Sequence, residues 1–291
     1  MDYDNLSKIR AQVALYTNRK TSNVLDGDFT SIFRGRSLDF DDLREYAYGD
    51  NIKDIDWKSS SKTGKTLVRR FIAERKHNIL FVVDTGTKMV ADTSQFEEKS
   101  EIAIDAFGTI AYLVDKHGDD FALMQDTDGG IDFSYFKSGA AHFENLMTRC
   151  RQNIGRDGKK GIRGLIDYIS DHIRRNMVII LITDMAGMAE LDEKILRKIT
   201  VNNDLLVINI DDAYMYGYDV YDVEKKRYED DYTAHRERLY QAEWRDRTSR
   251  YNRLEQLYRR YGVSLVTVAK ESEIIDKVVE LFERHRHENI G

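Results

Sequence analysis

Two short apolar runs constrain this chain more than any other feature. "NILFVVD" (78–84) and "MVIILITD" (177–184) are continuous hydrophobic stretches, and each closes on an aspartate. Polar alternation would mark a strand with one wet face, whereas a short unbroken run rich in β-branched residues marks a strand buried on both. Both runs fall far short of the ~20 apolar residues that cross a bilayer. A strand covered on both faces needs helices above and below, and the chain supplies them. Ile102, Ala106, Ile110 and Leu113 recur at helical spacing, as do Ile162, Leu165, Ile166, Ile169 and Ile173. Leu191, Ile195 and Ile199 form a third such face, and Ile275, Val278, Val279 and Phe282 a last one. Between them "FALMQ" (121–125), "LLVINI" (205–210) and "SLVTVA" (264–269) read as strands, with "IDFSYF" (131–136) a hairpin partner across "DTDGG". A long charged helix is predicted over 232–261. The pattern predicts an α/β fold, a doubly wound and mostly parallel sheet with helices on both faces.

Before residue 77 the signal is different. Leu6, Ile9, Val13 and Tyr16 suit a short helix, but from Asp26 to Lys65 periodicity lapses and Gly27, Gly35, Gly49 and Gly64 punctuate the chain. "TLVRRFIAER" (66–75) then reads as a strand leading into the core. We therefore divide the chain into 1–76, an N-terminal helix with an irregular, β-containing elaboration, and 77–291, the α/β domain.

Composition narrows the function classes. A formal net charge of -6 gives no overall pull toward nucleic acid or anionic membrane. With one cysteine, Cys150, no internal disulfide can form, which suits a reducing compartment. "MDYDNLSKIR" has no apolar signal-peptide core. These features predict a cytoplasmic protein. Proline is absent, so turns must rely on Gly, Asn and Asp.

In a doubly wound sheet ligands sit beyond the carboxyl ends of the strands, near the point where strand order reverses. Asp84 and Asp184 stand at such ends, and with Thr85 and Thr87 nearby they could supply oxygen ligands to a hard divalent cation. Equally, each aspartate could simply cap the helix that follows it. The stretch "LREYAYGDNIKDIDW" (43–57) poses a second question, because it packs Arg44, Glu45, Asp50, Asp54 and Asp56 around Tyr46, Tyr48 and Trp57. It contains no nucleophile–base pair. Tyr46 and Trp57 are expected to anchor it on the core, Arg44 to pair with Asp50 or Asp54, and the remaining acids to face a basic partner.

Other signals resolve into ordinary structure. "KTGKT" (62–66) precedes a strand and has Ser59 where a P-loop needs its first glycine. "DTDGGID" (126–132) fits a tight turn better than a calcium loop, and His285 and His287 suit the cation-favouring end of the last helix. Arg149 and Arg151 beside Cys150 would lower its thiol pKa, yet no histidine and acid accompany it in sequence. The helix over 232–261 interleaves Trp244, Tyr251, Leu254 and Tyr258 with Glu237, Glu243, Asp246 and Glu255, which would repel phosphate.

The stretch "GRSLDFDDLREYAYGDNIKDIDW" (35–57), followed by "KTGKTLVRRFIAER" and "DTGTKM", resembles domain-of-unknown-function family 58 (DUF58). This is a bacterial, von Willebrand factor A-like group often encoded beside MoxR-type AAA+ ATPases. "DTGTK" (84–88) stands where von Willebrand A domains carry a D-x-S-x-S metal motif, and Asp184 where they carry a distal aspartate. "VYDVEKKRY" (220–228) resembles a strand pair late in the family. The resemblance covers roughly residues 27 to 285. It implies a sheet of von Willebrand factor A (Rossmann-like) type, and a protein partner, a MoxR-type AAA+ ATPase. The chain departs from the pattern in three places. Tyr48 replaces a proline, Gly86 and Lys88 replace the two metal-binding serines, and "GRDGKKGIRG" (155–164) lacks a clear counterpart to a threonine.

Two readings follow. In the first the chain is a non-enzymatic protein-interaction module that acts with the ATPase in assembly or maturation of other proteins. Its partner surface is Arg44, Glu45, Tyr46, Asp50, Asp54, Asp56 and Trp57, and its adhesion-type metal site (Asp84, Thr85, Gly86, Thr87, Lys88, Asp184) is degenerate, with Lys88 folded over the carboxylates. No cofactor is then expected. The alternative is a Mg²⁺-dependent hydrolase or nuclease using Asp84 and Asp184, with Glu101 or Asp126.

Overall fold

The computed structural model describes residues 7, 8, 11, 42–47, 55–70, 77–214, 221–222, 227–228 and 237–288. Near the N-terminus β1 (Asp42–Glu45) and β2 (Leu67–Arg70) form an antiparallel ribbon, with helix α1 (Trp57–Thr63) between them in sequence. Strand β3 (Asn78–Val83), helix α2 (Lys99–His117), the hairpin β4 (Asp120–Thr127) and β5 (Gly130–Phe133), and helices α3 (Ala140–Asn153) and α4 (Gly161–His172) follow. Next come β6 (Val178–Asp184), α5 (Met185–Ala189), α6 (Glu193–Thr200) and β7 (Asp204–Ile210). A short antiparallel pair, β8 (Tyr221–Asp222) and β9 (Arg227–Tyr228), precedes α7 (Glu237–Arg260), β10 (Ser264–Val268) and α8 (Ile274–Glu288).

The main sheet runs β10–β7–β6–β3–β4–β5, parallel throughout except for the β4–β5 hairpin. The two apolar runs are its central neighbours, in register from Ile79 against Val178 to Val83 against Ile182. Their side chains alternate between two cores. Ile79, Phe81 and Val83 pack with α2, α3 and α8, while Leu80 and Val82 pack with α4, α6 and α7. Tyr258 of α7 is fully buried, and its hydroxyl donates to the Met188 carbonyl at 2.9 Å, tying the long helix to α5. The fold is thus the predicted α/β type with a mostly parallel sheet. No helix among the described residues is long and apolar enough to cross a membrane.

The N-terminal expectations fare less evenly. Of the predicted first helix, Ser7, Lys8 and Ala11 are helical, while Leu6, Ile9, Val13 and Tyr16 lie outside the described residues. β2 does not join the main sheet but pairs with β1, because its partners Asp42 to Glu45 take its hydrogen bonds locally. Helix α1 breaks the expected irregular stretch. "WKSSSKT" buries no residue, so it offers no periodicity to read; its signal is Asp56, whose side chain accepts the Ser59 N–H at 3.0 Å as an N-cap.

Candidate functional site

The chain leaves β3 for β4 and β5 on one side, then returns to β6 on the other. The crevice beyond the carboxyl ends of β3 and β6 is therefore the switch point, and it holds both strand-end aspartates. Lys88, on the 3₁₀ turn Thr87–Val90, reaches back between them. Its ammonium lies 2.8 Å from Asp84 Oδ2 and 3.0 Å from Asp184 Oδ1. A second lysine, Lys99 at the start of α2, is only 1% exposed and donates to Asp184 Oδ2 at 2.8 Å and to Asp212 Oδ1. The result is an alternating row, Asp84–Lys88–Asp184–Lys99–Asp212.

Neutral donors complete it. Thr183 Oγ1 donates to Asp84 Oδ2 at 2.5 Å, and the Gly86 N–H to Asp84 Oδ1 at 3.1 Å. Asp184 also caps α5, accepting the Gly187 N–H at 2.9 Å. A Cβ at Gly187 would stand 2.0 Å from Thr183 Oγ1 and 3.0 Å from Lys88 Nζ, so only glycine lets α5 begin this close to the ion pairs. Burial alone would push the Asp184 carboxyl up, but Lys99, Lys88 and the Gly187 N–H outweigh it and lower it to about 2. For Lys88 burial favours the neutral amine, yet Asp84 and Asp184 prevail and hold its pKa above the ordinary lysine value.

The other predicted residues divide. The Thr85 hydroxyl is buried and donates to the Asp126 carbonyl, whereas Thr87 is exposed and its N–H donates to Asp157 Oδ1 at 2.8 Å. Asp126 Oδ2 accepts the N–H groups of Lys160 at 2.5 Å and Gly161 at 2.8 Å, closing the start of α4. Asp84, Asp126, Asp157 and Glu190 line one cavity of about 230 Å³ beside Lys88. Glu101 does not join them; Arg151 grips both its oxygens at 2.6 and 2.8 Å.

The family described as "Protein of unknown function DUF58" matches residues 42–220 of this chain. The chain belongs to the DUF58 family. Relatives of this DUF58 chain include uncharacterized proteins of Mycobacterium tuberculosis and Mycobacterium bovis, each 24% identical over 214 residues. The match covers 72% of this chain and 66% of each relative, so the chain spans about two thirds of the length of the curated relatives it matches. Similar solved structures include a von Willebrand factor type A protein from Catenulispora acidiphila, with 11% identity and a TM-score of 0.42 over 76% of this chain and 44% of that one. Another is the conserved hypothetical protein BatB from Bacteroides thetaiotaomicron, with 11% identity and a TM-score of 0.44 over 72% of this chain and 99% of that one. Likenesses at this identity concern the fold alone.

The 43–57 stretch of the DUF58 chain differs from its expected anchoring. Trp57 is 67% exposed and Tyr46 38%, so neither is driven into the core. Tyr46 follows β1, its N–H donating to the Thr66 carbonyl at 2.8 Å, and Trp57 opens α1, a helix that buries none of its residues. Glu45 pairs with Lys65, Arg44 donates to the Glu45 carbonyl at 3.4 Å, and Asp56 is spent partly on capping α1. Asp50 and Asp54, and with them the expected Arg44 pairings, lie outside the described residues.

Cys150 is also corrected. It is fully buried, and burial pushes its thiol up to about 12, overriding the nearby Arg151. His285, expected at the cation-favouring end of the last helix, lies there, is 2% exposed and stands 3.3 Å from Ser264 Oγ. Lys99 and Asp212 were missed altogether. One signal could have found Lys99, because a cation in the first turn of a predicted helix opposes the dipole and needs carboxylate partners.

Proposed function

We propose that this DUF58 chain is a non-catalytic protein-interaction module that works with a MoxR-type AAA+ ATPase in assembly or maturation of other proteins. In this reading Lys88 stands in for the metal ion of a von Willebrand A adhesion site. The observation that carries it is the Lys88 ammonium between Asp84 and Asp184, at 2.8 and 3.0 Å. A hard divalent cation of the Mg²⁺ type wants near-octahedral oxygen ligands at about 2.1 Å. The donor set does not fit that demand. The facing oxygens of both aspartates are engaged by Lys88, the other oxygen of Asp184 by Lys99, and the Thr85 hydroxyl by a main-chain carbonyl. Two ammonium groups already supply the positive charge that an ion would bring.

The hydrolase alternative is weaker on the same ground. Asp84 and Asp184 are committed to Lys88 and Lys99, Asp126 Oδ2 closes the start of α4, and Glu101 is held by Arg151. For the partner surface, exposed Trp57 and Tyr46 favour recognition, since large aromatics dominate binding hot spots. The ATPase itself is supported by the family resemblance.

The test is Lys88→Ser. Removing the ammonium leaves two close carboxylates, which disfavours the ionised pair and restores oxygen ligands. The variant should melt several degrees lower in chelator, by about 3–8 °C, and Mg²⁺ should partly restore it. Wild-type melting should not respond to Mg²⁺. Tight Mg²⁺ binding to the wild-type protein in calorimetry would overturn the reading and favour the hydrolase.

A further inference from the structure

Phe96 breaks two rules at once. It is 65% exposed, and its φ of 61° lies in the left-handed region, where no other non-glycine among the described residues is found. The turn around it explains the geometry. The Thr93 N–H donates to the Glu97 carbonyl at 2.8 Å and the Phe96 N–H to the Thr93 carbonyl at 3.1 Å. Residue 96 therefore takes the bulge position that glycine ordinarily fills. A side chain is disfavoured there, because its Cβ crowds the following carbonyl. The loop is nevertheless held firmly. Thr93 is fully buried and its hydroxyl donates to the Ala269 carbonyl at 2.8 Å, while the Ser94 hydroxyl bonds Asp211. The Glu97 carboxylate accepts the Glu271 N–H at 2.7 Å, and the Asp92 carbonyl accepts the Ala213 N–H at 2.9 Å. These bonds pin the loop across the segments that leave β7 and β10, and Phe96 is what it holds out to water.

A single exposed apolar side chain needs no explanation, but one in a strained backbone does. Burial does not account for this ring, and turn chemistry opposes it. Binding accounts for both, since a large aromatic on a fixed backbone loses little freedom when it enters a partner. The charges beside it indicate what that partner carries. Glu97 and Glu98 follow the ring in sequence, and among the described residues neither carboxylate is paired with a cation. We propose that Phe96 is an anchor by which this chain docks on its protein partner. The ring enters an apolar pocket, and the rim of that pocket presents lysine or arginine to Glu97 and Glu98.

This inference rests on the interaction-module reading and assigns a residue to it. The probe is a purified MoxR-type ATPase titrated against the immobilised full chain, with melting temperatures measured on the same variants. Phe96→Gly should weaken binding about tenfold or more, yet melt at or above wild type because glycine relieves the left-handed strain. Phe96→Ala removes the ring but keeps the strain. It should bind as weakly as the glycine variant and melt about 2–4 °C below it. Glu98→Gln keeps an acceptor for the Ser100 hydroxyl and should weaken binding about threefold at low salt and less at high salt. Wild-type affinity in Phe96→Gly, or a melting temperature well below wild type in that variant, would overturn the proposal and leave the broader reading standing. Wild-type affinity in Glu98→Gln at low salt would overturn the basic rim. Absence of binding by the wild-type chain would overturn both the anchor and the ATPase partnership.

Discussion

Asp184 has 2% of its surface exposed and still ionises more readily than a free aspartate, because Lys99 and Lys88 both face it. A carboxyl whose folded pKa is depressed binds its proton more weakly in the native state than in the unfolded one. Its stabilisation is therefore complete above the unfolded value near 3.8 and lost as pH falls toward about 2. The difference corresponds to roughly 2 kcal/mol. Asp184→Asn should accordingly lie well below wild type in melting temperature at pH 6, and the gap should narrow between pH 4 and pH 2. A gap that stays constant through acid would show that Asp184 acts only as the cap of α5. Cys150 teaches the same lesson in reverse, since its neighbours in sequence are arginines but its neighbours in space are the core.

Among the elements, α1 owes little to packing. It buries none of its residues, is closed at its start by Asp56 and at its end by Gly64 in the left-handed region at φ 71°, and presents Trp57 to solvent. A large exposed aromatic on a capped, locally stable element suits recognition rather than folding. Trp57→Ala should thus shift the melting temperature by less than about 1 °C, in keeping with the small effect of surface substitutions. It should reduce capture of a MoxR-type ATPase severalfold. A clear drop in melting temperature, with capture intact, would assign Trp57 a structural role. By contrast α7 is held by Tyr258, Tyr251 and Leu254 on its inner face, while Trp244 is 49% exposed. That is the amphipathic helix its charge pattern predicts.

At the scale of the molecule, β3 and β6 belong to both cores at once. Phe81 meets Phe107 at 4.9 Å and Phe121 at 6.3 Å between ring centroids, both edge-on. Phe81→Ala should cost about 3–5 kcal/mol, as a large cavity in a packed core does. The amides of Leu80–Val82 and Ile179–Leu181 should be the slowest to exchange in the wild type, since central strands open only with global unfolding. Protection in both strands should fall together in the variant. Slower exchange in edge strand β10 or β5 than in the centre would contradict this hierarchy.

Local sequence determined the elements and their order, because burial on two faces demands unbroken apolar runs and burial on one demands helical spacing. It placed "ILFVV" and "VIILI" at the centre of the sheet, and Asp84 and Asp184 at their ends. The reach of Lys88 over them was legible in its spacing from Asp84, but tertiary structure decided their distant partners. Lys99 and Asp212 come to Asp184 from 85 residues before it and from the strand end beyond β7, and Asp126 from a strand on the far side of β3. Charge pairing between distant segments acts through space and leaves no period in the chain. The exposure of Trp57 and the burial of Cys150 and His285 were likewise set by which surfaces the fold had left to cover.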